Sequence, residues 1–194
     1  MISAQEGIKV VHLKPGEAHI TDRPEIVVTV LGSCLSVTMF NRRRGVAGIC
    51  HSLLPECIDR ETCRSGCREG YRYVECSIRQ MVTVFDGYGV LPDEIEVKCF
   101  GGADMFIRKS INSDLFTVGR QNIKMAEKII ASEGLRFRAK DVGGVQGRKL
   151  LFYTHTGEVL LKRLRGANNP EIILQERMQQ ESPAPDKEND AHKQ

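Results

Sequence analysis

Apolar residues alternate loosely from Ile8 to Leu13 and then crowd into a β-branched run, Ile26, Val27, Val28, Thr29 and Val30, introduced by Pro24. A run of that kind reads as a buried strand. Gly32-Ser33 breaks it, and a second run follows at once from Leu35 to Phe40. After the turn-forming Asn41 to Gly45 comes a third, from Val46 to His51. The pattern predicts strand, tight bend, strand, hairpin and strand, with Cys34 at the bend and His51 at the far end of the third strand.

Further on, Val74, Ile78, Met81, Val82 and Phe85 recur at helical spacing until Gly87 and Gly89 stop them; Ile123, Ala126, Ile129 and Ile130 mark a second helix, closed by Gly134. Both are expected to be amphipathic. Ile95 to Phe100 alternates into Gly101-Gly102-Ala103, Leu135, Phe137 and Ala139 mark another strand, and Lys149 to Tyr153 with Glu158 to Leu164 form a closing hairpin. Strands outnumber helices by about seven to two, and short turns join several of them, so the fold class expected is α+β with mostly antiparallel sheets. One domain is expected over residues 1–170. Residues 171–194, where Ser182-Pro183-Ala184-Pro185-Asp186 and their neighbours offer almost nothing to bury, are expected to be a disordered tail.

Composition narrows the function classes. A hydrophobic fraction of 41% and a charged fraction of 27% describe a globular chain, and a net charge of +3 from 28 basic and 25 acidic groups gives no nucleic-acid footprint. Arg42-Arg43-Arg44 reads as a solvated hairpin tip. No apolar run is long enough to span a bilayer, and Glu6, Lys9 and Lys14 interrupt the start of the chain where a signal peptide would need an apolar stretch. A cytoplasmic protein with no membrane insertion is expected, in which the seven cysteines stay reduced.

A thiol at the bend Gly32-Ser33-Cys34 differs from one in mid-strand. Glycine lets a ligand approach the backbone, and amides at a bend can hold a thiolate or a developing oxyanion. An imidazole is the usual activating base, and a hairpin returns His51 to the same end as Cys34. On pattern alone the plainer reading, a packing thiol and a hydrogen-bonded core histidine, is favoured. Ser33 lacks the surrounding glycines of a nucleophile elbow.

Thr29-Val30-Leu31-Gly32-Ser33-Cys34, followed by Gly48-Ile49-Cys50-His51-Ser52-Leu53-Leu54-Pro55, closely resembles the paired signature of the CheD family of bacterial chemoreceptor glutamine deamidases. Arg72-Tyr73, Lys98-Cys99-Phe100-Gly101-Gly102-Ala103-Asp104-Met105, Gly119-Arg120-Gln121-Asn122, Asp141-Val142-Gly143-Gly144 and Gly147-Arg148 resemble further family blocks in family order, from about residue 7 to about 165. The resemblance implies a cysteine hydrolase that turns receptor glutamines into glutamates and, in some members, hydrolyses glutamyl methyl esters. It implies Cys34 as nucleophile, His51 as base and Thr29 as third polar member, with no metal or cofactor. It also implies a layered fold like that of the cytotoxic necrotizing factor toxins. Expected partners are the cytoplasmic domains of methyl-accepting chemoreceptors and a CheC-type phosphatase.

Gly32, Ser33, Gly101, Gly102 and Ala103 are expected to shape the oxyanion or substrate site, although the Gly-Gly-Ala run also suits a strand-ending turn. Arg120, Asn122 and Asp141 read as helix-start or turn residues. Cys57, Cys63, Cys67 and Cys76 depart from the family signature. Their spacings of five, three and eight residues contain no Cys-x-x-Cys pair, which favours free or redox-sensitive thiols over zinc. Cys50 and Cys99 are assigned to packing.

Overall fold

The computed structural model describes residues 7–57, 70–104 and 117–164. The expected tail at 171–194, Cys63, Cys67 and Met105 lie outside the described residues. Among the described residues nine strands form, in the order β1 (Lys9–His12), β2 (Ala18–Thr21), β3 (Glu25–Leu31), β4 (Leu35–Asn41), β5 (Val46–Cys50), β6 (Glu96–Gly101), β7 (Phe137–Val142), β8 (Gly147–Tyr153) and β9 (Glu158–Leu164). Helix α1 (Val74–Gly87) precedes β6 and helix α2 (Val118–Ser132) precedes β7. The fold is α+β, as expected.

The strands divide between two sheets, one of order β1-β3-β8-β9 and one of order β2-β5-β4-β6-β7. Only β1 with β3 and β6 with β7 pair in parallel; every other named pairing is antiparallel. β2 is the strand that the pattern does not reveal. Its four residues carry a single large apolar side chain, Ile20, and it is an edge strand paired only with β5.

Three layers result: the four-stranded sheet, the five-stranded sheet, and both helices on the latter's outer face. Val74, Ile78, Met81 and Phe85 of α1, with Ala126, Ile129 and Ile130 of α2, meet Leu35, Val37, Met39, Cys50, Val97 and Cys99. Cys50 and Cys99 are therefore packing residues, and burial raises both thiol pKa values. Between the sheets lie Val27, Phe40, Ala47, Ile49 and Phe152, continuing into Leu31, Cys34, Leu53, Phe100 and Leu150. All seven residues of β4, the polar Ser36, Thr38 and Asn41 included, are buried because helices cover one of its faces and the second sheet the other.

Thr117 caps α2, its hydroxyl accepting the Arg120 amide at 3.3 Å. Asp141 is a strand residue of β7 rather than a turn residue. Its carboxylate accepts from Arg148 Nε at 2.8 Å and Arg163 Nη2 at 2.7 Å, so it anchors a buried guanidinium that also donates to the Gly143 carbonyl. Arg42, Arg43 and Arg44 are exposed at the hairpin tip, where Arg43 chelates Glu94.

Phe85 is fully buried where α1 crosses the five-stranded sheet. Phe85→Ala is expected to cost about 3–5 kcal/mol through lost transfer energy and a cavity, read as a lower urea midpoint with little change in slope.

Candidate active site

Consecutive strands β3 and β4 belong to different sheets, so Gly32, Ser33 and Cys34 carry the chain across from one to the other. β5 then returns antiparallel to β4. Thr38 pairs with Ile49, and the same register extends to Leu35 opposite Ser52, which sets Ser36 opposite His51 and Cys34 one diagonal step away. Residues 34, 36 and 51 therefore share a face of the sheet, and for Cys34 and His51 such a diagonal corresponds to roughly 7–8 Å between Cα atoms. That face is the inter-sheet layer, where Cys34 packs with Leu31, Leu53, Phe100 and Leu150.

Thr29 reaches the same layer from the opposite sheet. Its hydroxyl lies 2.8 Å from His51 Nδ1 and donates to the Leu13 carbonyl at 3.0 Å. A hydroxyl has one proton. Since the carbonyl takes it, Nδ1 must carry the ring proton and donate to Thr29 Oγ1, which leaves the lone pair on Nε2. Nε2 has no hydrogen-bond partner among the described residues. Thr29 thus sets both the tautomer and the orientation of the ring.

Burial carries a second consequence. His51 is 0% exposed, and desolvation lowers its pKa from 6.5 to about 3. The ring is neutral at neutral pH. Cys34 is 1% exposed, whereas the bend pattern suggests a thiol in an open cleft. Two sheets closing on each other remove the solvent that a surface bend would have.

The expected oxyanion segment is differently employed. Gly102 N donates to the Cys34 carbonyl at 2.8 Å and Ala103 N to the Gly32 carbonyl at 2.9 Å, so these two amides are already engaged by the bend itself. What Gly101 supplies is proximity: its φ is +107°, and a Cβ there would sit 2.2 Å from the Cys34 carbonyl oxygen. A Cβ on Gly102, at φ +64°, would sit 2.9 Å from the carbonyl oxygen of Gly119 at the start of α2.

Asn122 is the residue whose position the sequence left unremarkable. It is fully buried on α2, and its Nδ2 donates to the Ser33 carbonyl at 3.2 Å and the Leu53 carbonyl at 2.9 Å. Ser36 Oγ, His51 Nε2 and Asn122 Oδ1 are the buried side-chain nitrogen and oxygen atoms without a partner among the described residues. All three belong to residues grouped around the bend, and buried unpaired polar atoms concentrate where a site keeps them for chemistry. Cys57 is half-buried and Cys76 lies on α1, with Cys63 and Cys67 outside the described residues.

The chain is thus a two-sheet α+β protein with a histidine, a threonine and a cysteine enclosed between its sheets. A family model described as CheD chemotactic sensory transduction matches residues 53–163. The chain is 48% identical over 155 residues to "Probable chemoreceptor glutamine deamidase CheD 2" of Geobacter sulfurreducens, covering 79% of this chain and 89% of that one. It is 42% identical to "Probable chemoreceptor glutamine deamidase CheD" of Oleidesulfovibrio alaskensis, covering 84% and 76%. Among solved structures, the Bacillus licheniformis hypothetical protein YfiH overlays with a TM-score of 0.42 at 14% identity, covering 64% of this chain and 49% of that one. The chain belongs to the CheD family. Among the described residues no helix is long and apolar enough to cross a membrane.

The buried ring makes a stability prediction. Unfolded chains bind a proton at His51 below pH 6.5, whereas the folded protein resists it until about pH 3. Stability is therefore fully present above pH 6.5 and falls on acidification, by about 1.4 kcal/mol per pH unit at most. Urea unfolding between about pH 6.5 and 5, above the carboxylate range, should show this slope in the parent and lose most of it in His51→Gln.

Proposed function

We propose that this protein is a protein-glutamine deamidase acting on the cytoplasmic domains of chemoreceptors, with Cys34 as nucleophile, His51 as base and Thr29 as its orienting partner. The observation that carries the reading is the Thr29–His51 hydrogen bond, which leaves Nε2 unpartnered in the layer that also holds Cys34. Kinship with proteins named chemoreceptor glutamine deamidases supplies the substrate class.

His51 Nε2 takes the Cys34 thiol proton as sulfur attacks the glutamine side-chain carbonyl, and the C=O electron pair moves to oxygen as a tetrahedral oxyanion. Collapse re-forms the carbonyl and breaks the C–N bond. The nitrogen leaves as ammonia with the proton from His51, and the acyl group remains as a thioester. Water, giving its proton to the same nitrogen, then opens the thioester to glutamate and restores the thiol. A glutamyl methyl ester would follow the same course with methanol as leaving group.

A ring held at about pKa 3 is a poor proton acceptor at neutral pH. Admitting a carboxamide between the sheets requires an opening, and the same opening would relieve the desolvation that depresses the ring. The resting thiol is accordingly shielded. That same shielding favours a second reading, a catalytically silent partner of a CheC-type phosphatase, which would need no access to the thiol.

One assay separates the two. Purified protein mixed with receptor cytoplasmic domains should convert glutamine to glutamate, detected by mass spectrometry, and Cys34→Ser should abolish the conversion; parent-rate activity in Cys34→Ser would refute the nucleophile. No conversion by the parent, together with capture of the phosphatase, would favour the silent partner. Thr29→Val, which keeps shape and removes the hydroxyl, is expected to lower kcat about 100-fold through misorientation of the ring.

A further inference from the structure

Asn122 occupies a place in the β4–β5 strand pair that backbone would ordinarily fill. Leu35 and Ser52 exchange both hydrogen bonds, at 2.9 and 2.8 Å. In a regular antiparallel ladder the next pair to exchange bonds would be Ser33 and Leu54. That pair does not form. Leu54 N donates to the Arg72 carbonyl at 3.2 Å, its own carbonyl accepts from Val74 N at 2.8 Å, and Leu53 N also turns to Arg72 at 2.8 Å. The return strand has peeled away toward residues 72–74, and the ladder is open beside Cys34.

One side chain catches the Ser33 carbonyl that the opening leaves and ties it to the Leu53 carbonyl on the departing segment. Nδ2 of Asn122 has two protons; one goes to Ser33, the residue before the thiol, and the other to Leu53, two residues after the imidazole. The side chain is fully buried, and its Oδ1 stays unpartnered among the described residues, a cost that an apolar residue at this position would not carry. Burying an amide with half its capacity unused is explicable if its two donors are what the position requires.

We propose that Asn122 is a positioning residue for the deamidation: it holds the β4 and β5 ends at a fixed separation where the ladder has opened, and so sets the approach of the Cys34 sulfur to His51. The inference rests on the deamidase reading. Its effect should appear in kcat rather than in substrate affinity, because the residue touches the backbone beneath the reacting groups and not the substrate.

Two variants of the full-length protein test it, with folded fraction measured by circular dichroism. Asn122→Ala removes both donors and should lower kcat per folded molecule about 100-fold with KM within about threefold. Asn122→Asp keeps the shape of the side chain, and while protonated it keeps one of the two donors. Facing two carbonyl oxygens in a buried site, its carboxyl is expected to titrate above the usual range. The neutral acid retains one donor, so kcat should fall relative to the parent as pH rises from about 5 to 8. A merely structural residue would give losses that track folded fraction alone, with the parent's pH profile, and that result overturns the proposal while leaving the deamidase reading intact. If the parent itself converts no receptor glutamine, the deamidase reading fails and the proposal with it.

Discussion

The chain must pass from one sheet to the other within three residues, and much of the site follows from that constraint. Gly32, Ser33 and Cys34 complete the crossing between β3 and β4, so the backbone there cannot pair regularly with a single neighbour. Its carbonyls are taken up from two sides, by Gly102 and Ala103 on one and by Asn122 on the other. A sulfur held this way occupies the seam between the sheets. Thr29, on the strand before the crossing, then faces His51, on the strand after the hairpin, across the same seam.

The enclosure that makes these contacts possible also opposes chemistry in the resting protein. A neutral imidazole suits a dry layer between sheets, because ionising it would place a charge where little solvates it. Hydrophobic contact around Cys34 from Leu31, Leu53, Phe100 and Leu150 stabilises the fold and restricts entry. Stability and reactivity are thus set against each other by one structural feature, and productive contact with a protein substrate has to open the layer while leaving the Thr29–His51 geometry in place.

The strands around the bend were legible because their side chains answer to local rules. β3 is a β-branched run, β4 alternates large apolar residues with Ser36 and Thr38, and β5 is short and apolar; Gly32-Ser33 and Asn41 to Gly45 punctuate them, and both helices show their buried stripe. β2 was not legible, since an edge strand with one large apolar residue leaves almost no pattern. The Gly101-Gly102-Ala103 segment was legible as a place of close approach but not in its bonding, because glycine signals permissive backbone and not which atoms come near. Asn122 looked like any polar residue in the first turns of a helix. Its importance depends on two carbonyls separated from it by 89 and 69 positions in the chain.

By itself the sequence determined the fold class, the bend that presents Cys34, the hairpin that returns His51, and the family to which these motifs belong, because periodicity, turn chemistry and ordered motifs are local properties. Tertiary structure alone decided that β3 and β4 part into different sheets, that Thr29 hydrogen-bonds the His51 ring, and that Cys34 and His51 are both sealed from water. Those outcomes arise from the stacking of two sheets, and hydrogen bonding and desolvation across a seam depend on distances between strands that no local pattern encodes.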